Sequence, residues 1–194
     1  MIDYNDIVAD LGNRSIFLAG FMGTGKTTTG FKLAETLGIN FYDLDIIIEE
    51  NHNIVIQKFF VESGEDSFRK LENMVLEKLL MEPRPNVIAL GGGTLLSEVN
   101  RAKLRPAGIV IGLKAGAIHI ARRLNESQLA TLMNMTGRPI SDAIFTDKVI
   151  EAAKDLIKQR ESLYDDVDFS VHSGMKTISG VVEEIIEKLS DILI

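Results

Sequence analysis

Two periodicities alternate along this chain. Short apolar runs, SIFLAG (15–20), NFYDL (40–44), NVIAL (86–90), GIVIGL (108–113) and DFSVH (168–172), read as strands. Between them, helical spacing of apolar residues predicts helices over roughly 26–37, 45–62, 64–82, 97–104, 115–125, 142–163 and 177–191. Several strands are continuously apolar rather than alternating, as suits a parallel sheet covered on both faces. Strand and helix alternate throughout, so the expected fold class is α/β with a mostly parallel sheet. Ligands of such sheets sit beyond the carboxyl ends of the strands, which is where chemistry is to be sought.

The first strand runs into a complete motif. GFMGTGKT, Gly20 to Thr27, meets the P-loop pattern G-x-x-x-x-G-K-[ST] at each fixed position. Gly23 and Gly25 let backbone N–H groups turn inward around an anion, and the helix that follows directs its positive end to the same point. Lys26 would reach the β- and γ-phosphates of a nucleotide, and Thr27 would offer its hydroxyl to Mg2+. Thr24 and Thr28 complete the expected nucleotide-binding set. A plain glycine turn is the competing explanation, and a full match between strand and helix disfavours it.

Four further stretches follow predicted strands or lie in helices able to face them. DLD places Asp43 and Asp45 at the end of the second strand, where two carboxylates beside a magnesium nucleotide could serve the metal and orient an acceptor hydroxyl. The same pair also suits a helix N-cap and dipole partner. GEDSFRKLE carries Arg69 with Glu65 at i−4 and Glu72 at i+3, either of which could hold its guanidinium ready for a carboxylate ligand. A solvated helix face is the plainer alternative. ALGGGT puts Gly91, Gly92 and Gly93 directly after the third strand, which allows a ligand close to the backbone or forms a tight turn only. Residues 125–141, NESQLATLMNMTGRPIS, lie between two helical patterns and hold Gly137, Arg138 and Pro139. They form either a lid that brings Arg138 onto a transferring phosphate or an exposed connection.

Composition narrows the choices. A chain of 194 residues fits one domain, residues 1–194, with small insertions. Acidic residues outnumber basic ones, 28 to 21, and the net charge of −7 disfavours a nucleic-acid binder while leaving room for small anionic ligands. Without cysteine there is neither a disulfide framework nor a thiolate metal site. His52, His119 and His172 are scattered without ligand spacing. The apolar runs fall far short of a bilayer span, and MIDYNDIVADLGNR lacks a positive leader, so a cytoplasmic protein with a short leading helix or arm is expected. No nucleic-acid or membrane partner is expected, and a monomer is.

Taken in order, these features resemble shikimate kinases. GFMGTGKTTTG, DLD, the spacing of Gly64, Glu65, Phe68, Arg69 and Glu72, GGG at 91–93, an arginine–proline lid, and Arg160 with Tyr164 follow that family's order from about Arg14 onward. The resemblance implies a P-loop kinase of the nucleoside-monophosphate kinase fold, a five-stranded parallel sheet in the order 2-3-1-4-5. It implies ATP as co-substrate, Mg2+ as metal, and transfer of the γ-phosphoryl group to the 3-hydroxyl of shikimate, a step of aromatic amino-acid biosynthesis. The acceptor-binding helices would span about 45–82. Carried over, Lys26 and the loop would bind ATP phosphates, Thr27 would bind Mg2+, and Asp43 would hold the metal through water. Asp45 meets the ring hydroxyls and accepts the attacking hydroxyl's proton. Arg69 and Arg160 hold the carboxylate beside Gly91–Gly93, and Arg138 neutralises the transferring group.

The lid departs from the family pattern. It reads MTGRPIS instead of arginine–proline followed by two leucines, is longer, and lacks an arginine shortly before the motif, for which Arg122 and Arg123 lie further back. Asp168 stands where the family has alanine. Gluconate kinases and nucleoside-monophosphate kinases would share the P-loop and differ in the acceptor pocket, and DLD with Arg69 and the glycines favours an acidic polyhydroxy ring. A non-catalytic binding module would be expected to lack Lys26, Asp45 or Arg69, and all three are present.

Overall fold

The structure, a computed structural model, describes residues 3–137 and 147–193. Five parallel strands form one sheet in the order β2-β3-β1-β4-β5. They are β1 (Ser15–Gly20), β2 (Asn40–Asp43), β3 (Asn86–Ala89), β4 (Gly108–Lys114) and β5 (Phe169–His172). The helices are α1 (Tyr4–Leu11), α2 (Lys26–Leu37), α3 (Leu44–His52), α4 (Ile56–Leu79), α5 (Glu98–Ala107), α6 (Ala117–Ala121), α7 (Glu126–Met135), α8 (Asp147–Asp165) and α9 (Ile178–Leu193).

β1 and β3 are buried along their whole length, which explains their unbroken apolar sequence. Side chains alternate between the faces. Phe17 and Ala19 join Ile88 and Val110 in a core with α3–α8, whereas Ile16 and Leu18 join Val87 and Ile111 in a core with α1, α2 and α9. The leading segment docks: Ile7 and Leu11 of α1 are buried in this second core, and Asp3 caps the helix through the Asn5 amide. Asp168 extends the sheet, its carboxylate accepting from the Val110 amide at 2.6 Å and its own amide donating to the Val110 carbonyl at 2.9 Å.

Two expected boundaries change. The helix anticipated over 45–62 breaks at Asn53, which takes a left-handed conformation (φ 50), and α4 restarts with the Ile56 amide held by Glu49 Oε1 at 2.9 Å. Asparagine visits that region with little strain, and a helical apolar spacing conceals it. The boundary expected near residue 63 is a kink inside α4 at Gly64 (φ 79, ψ 167). The stretch read as a connection from residue 125 contains α7, opened by a reciprocal cap. Gln128 N donates to Asn125 Oδ1 (2.9 Å), and Asn125 N donates to Gln128 Oε1 (3.1 Å). Leu132 and Met133 are fully buried and anchor it. Arg138 and the rest of the expected lid, through residue 141, lie outside the described residues.

Candidate active site

A cleft of about 520 Å³ opens beyond the carboxyl ends of β1, β2 and β3. One end is the β1–α2 loop. Lys26 folds over it, its ammonium donating to the carbonyls of Gly20 (2.9 Å) and Phe21 (3.2 Å). Burial lowers the lysine's pKa, and the Asp45 and Asp43 carboxylates oppose that shift. Thr27 Oγ1 donates to Asp43 Oδ2 at 2.6 Å. The other oxygen of Asp43 accepts from the amides of Asp45 (3.1 Å) and Ile46 (3.3 Å) and caps α3. Asp43 is therefore an N-cap and a partner of the loop threonine at once, so the two explanations of DLD are not exclusive.

The loop is tied down from behind. Arg123, at the end of α6, donates to the carbonyls of Ser173 (2.8 Å), Gly174 (3.2 Å) and Gly23 (3.5 Å), while Ser173 Oγ donates to the Thr24 carbonyl at 2.7 Å. Arg123, one of the two arginines lying further back than the missing lid arginine, thus touches the P-loop and lines the cleft. Arg122 is exposed.

Asp45 stands in the middle of the cleft. Burial pushes its carboxyl up to about 6; Lys26 opposes the rise, Asp43 and Glu72 add to it, and Arg69 opposes it. Beyond it lies a group of directional side chains. Arg69 binds Glu72 Oε2 through Nη1 (2.8 Å) and Glu65 Oε1 through Nη2 (3.0 Å) and Nε (3.2 Å), the i+3 and i−4 partners its spacing suggested. Burial alone would lower the pKa of Arg69, but Glu72 and Glu65 outweigh it, and the guanidinium also lies 5.3 Å from the Phe68 ring centroid. From α8, Tyr164 Oη (2.7 Å) and Arg160 Nη1 (3.3 Å) both donate to the Gly92 carbonyl.

The glycines after β3 have separate reasons to lack side chains. A Cβ at Gly93 would stand 2.2 Å from Arg69 Nη2, and one at Gly91 would stand 2.7 Å from both Asp45 Oδ1 and Glu72 Oε1. A single turn glycine would not account for this; the guanidinium and the two carboxylates occupy the space.

Lys26, Thr27, Thr28, Gly23, Gly25, Asp43, Asp45, Arg69, Gly92, Gly93 and Arg160 therefore border one cavity. Among the described residues of the anticipated set, two do not. Thr24 is buried with its hydroxyl on the Phe21 carbonyl (2.8 Å), and Gly91 is walled off by the carboxylates beside it. Tyr164 stands behind Gly92, and the cleft is also lined by Phe60, Gln128, Thr131 and Met135, none of which carried an assigned binding role. The last three occupy one face of α7, a spacing of i, i+3 and i+7 that was readable once that stretch was known to be helical. Among the described residues no group of three or more His, Cys, Asp or Glu is placed to hold a metal, and no helix is long and apolar enough to cross a membrane.

Comparison with known proteins decides the family. The shikimate kinase family model matches residues 22–190. The chain belongs to the shikimate kinase family. A shikimate kinase 2 of Yersinia pseudotuberculosis is 38% identical over 178 residues, covering 91% of this chain and 96% of that protein. A shikimate kinase from Acinetobacter baumannii, solved in complex with shikimate, superposes with a TM-score of 0.82 at 28% identity, covering 96% and 98% of the two chains. A gluconokinase from Sinorhizobium meliloti shares the fold alone, with a TM-score of 0.57 at 18% identity and coverage of 93% and 94%. The sheet order is the one expected for a P-loop kinase of this family. Membership makes ATP the co-substrate.

Proposed function

We propose that this cleft transfers the γ-phosphoryl group of ATP to the 3-hydroxyl of shikimate, with the nucleotide on the P-loop and the acid between Arg69 and Arg160. The observation that carries the reading is the position of Asp45. It lines the same cavity as Lys26 and Arg69, and both cations act on its carboxyl. A ring acid whose carboxylate is held by Arg69 and Arg160 presents its hydroxyls toward Asp45, and the phosphates lie beyond them at Lys26.

The acceptor oxygen attacks the γ-phosphorus as the bond to the ADP oxygen breaks, and the hydroxyl proton passes to Asp45. Its pKa of about 6 leaves it ionised at neutral pH, yet basic enough to accept a proton. The ammonium of Lys26 leaves the Gly20 and Phe21 carbonyls for the phosphate oxygens. Thr27 and Asp43 suit Mg2+, since their hydroxyl and carboxylate already converge at the loop mouth. Thr27 would bind the ion through its hydroxyl and Asp43 would hold it through water, a sparse set of protein oxygens of the kind that ion accepts. Held there by Thr27 and Asp43, Mg2+ would supply charge neutralisation at the β- and γ-phosphates. Arg138 would complete that neutralisation from the segment after Gly137. Every group assigned belongs to one chain, so a monomer is competent.

The deciding experiment is ADP release from Mg-ATP with shikimate, with gluconate, and with no acceptor, using Lys26→Ala as control. Release that requires shikimate and disappears in the variant is the expected result. ATP binding without shikimate-dependent release would reject the acceptor assignment.

A further inference from the structure

Glu72 is completely buried, and it works from both ends. Its Oε2 accepts from Arg69 Nη1 at 2.8 Å, and its Oε1 accepts from Thr94 Oγ1 at 2.7 Å. Thr94 is equally buried and follows the three glycines, opening a short 3-10 turn over Thr94–Leu96. Its backbone is also fastened, the amide donating to the Gly91 carbonyl at 3.2 Å and the carbonyl accepting from Asn100 Nδ2 at 3.3 Å. The Thr94 hydroxyl is thus a fixed point of the sheet end, reaching across to α4.

Gly91 shows how closely these groups converge. The point where its Cβ would sit is 2.7 Å from Asp45 Oδ1, 2.7 Å from Glu72 Oε1 and 3.1 Å from Thr94 Oγ1. With the hydroxyl removed, Glu72 Oε1 would be left without its donor in a dry site, facing the Asp45 carboxylate. A buried carboxylate oxygen that loses its partner relaxes by turning. Glu72 cannot turn without moving the acceptor of the Arg69 hydrogen bond.

We propose that Thr94 is a positioning residue for the acceptor: its hydroxyl orients Glu72, and Glu72 holds Arg69 at the angle that receives the substrate carboxylate. Thr94 touches no reacting atom, and its effect passes through Arg69. This inference rests on the assignment of Arg69 to the acceptor carboxylate.

The test is a set of steady-state measurements on Thr94→Val, Thr94→Ser, Arg69→Ala and the double variant Thr94→Val/Arg69→Ala. Thr94→Val keeps the shape and removes the hydroxyl. It should raise the KM for shikimate roughly tenfold, the scale of one buried hydrogen bond lost beside a charge, with the KM for ATP unchanged. Thr94→Ser should restore the native value. In the Arg69→Ala background the added change should fall below about twofold, because the residue through which Thr94 acts is gone. Equal loss against both substrates, no rescue by serine, or full additivity with Arg69→Ala would each overturn the proposal. Should Thr94→Val fail to fold, Thr94→Ala makes the same deletion with less bulk and must give the same split. Arg69→Ala separates the two levels of the argument. An unchanged KM for shikimate there rejects the pocket itself, whereas a large rise there with none in Thr94→Val rejects Thr94 alone.

Discussion

The two ends of the cleft are built in opposite ways. The end we assign to the phosphate donor comes from one contiguous stretch, Gly20 to Thr28, whose proposed binding groups are largely backbone amides with one lysine and one threonine. The end we assign to the acceptor draws Asp45 from α3, Arg69 and Glu72 from α4, two glycines from the turn after β3, and Arg160 from α8, where Tyr164 shares the Gly92 carbonyl with it. Phosphates are alike in every nucleotide, so a local nest of amides at a helix N-terminus serves them all. A particular ring acid must be told from others by directional side chains. Each of those is held by a partner from elsewhere in the fold, as Glu72 holds Arg69 and as the Gly92 carbonyl holds Arg160 and Tyr164. Locality therefore accompanies generic recognition, and long-range assembly accompanies selectivity.

The sharpest way to break this contrast is to damage one end and measure the other. Lys26→Ala should lower kcat by roughly 10²–10³-fold, the scale for one preorganised charge at a developing anion. Shikimate binding, read by calorimetry, should stay close to native. Lost shikimate affinity in that variant would show that the two ends are not separable.

The converse change is smaller. Arg69→Ala should raise the KM for shikimate by roughly 10–150-fold, as for loss of a charge-assisted hydrogen bond, with the KM for ATP unaffected. Gly93→Ala should push in the same direction, since its Cβ would lie 2.2 Å from Arg69 Nη2.

Asp45 sits between the ends and supplies a pH test. It must be ionised to accept a proton, so kcat/KM for shikimate should fall about tenfold per pH unit below about 6. Stability should run the other way. A carboxyl whose folded pKa is raised from 3.8 to about 6 binds its proton more tightly in the folded chain, so it weakens folding as pH rises through that interval. Asp45→Asn should be inactive, yet about 1–3 kcal/mol more stable than native at pH 8, with the gain absent below pH 4, as denaturant titrations at both pH values would show. A native-like melting profile at pH 8 would mean that burial does not raise the Asp45 carboxyl. Such a group is an example of stability given up at a functional site.

The smallest expected effect concerns the wall between the ends. Asn125→Ala removes half of the reciprocal cap on α7 and should lower stability by about 1 kcal/mol, with a modest rise in the KM for both substrates. An unchanged melting temperature would show that burial of Leu132 and Met133 holds the helix unaided.

Much of this molecule is legible in one dimension because its information is local. Continuous apolar runs marked β1, β3 and β4 since those strands are covered on both faces, and the P-loop could be read whole because its geometry is made by neighbouring residues. The i−4 and i+3 spacing about Arg69 even named the carboxylates that bind it. What lay beyond reach depended on backbone exceptions and on distance. The left-handed Asn53 interrupts a good helical pattern, and α7 is only ten residues long, with a cap visible only once Asn125 and Gln128 are seen to exchange hydrogen bonds. Nothing in the order of residues brings Thr94 to Glu72, Tyr164 to Gly92 or Arg123 to the P-loop. Those meetings are decided by packing, because a hydrogen bond across the sheet end depends on where helices come to rest, whereas a turn or a strand depends on the residues that compose it.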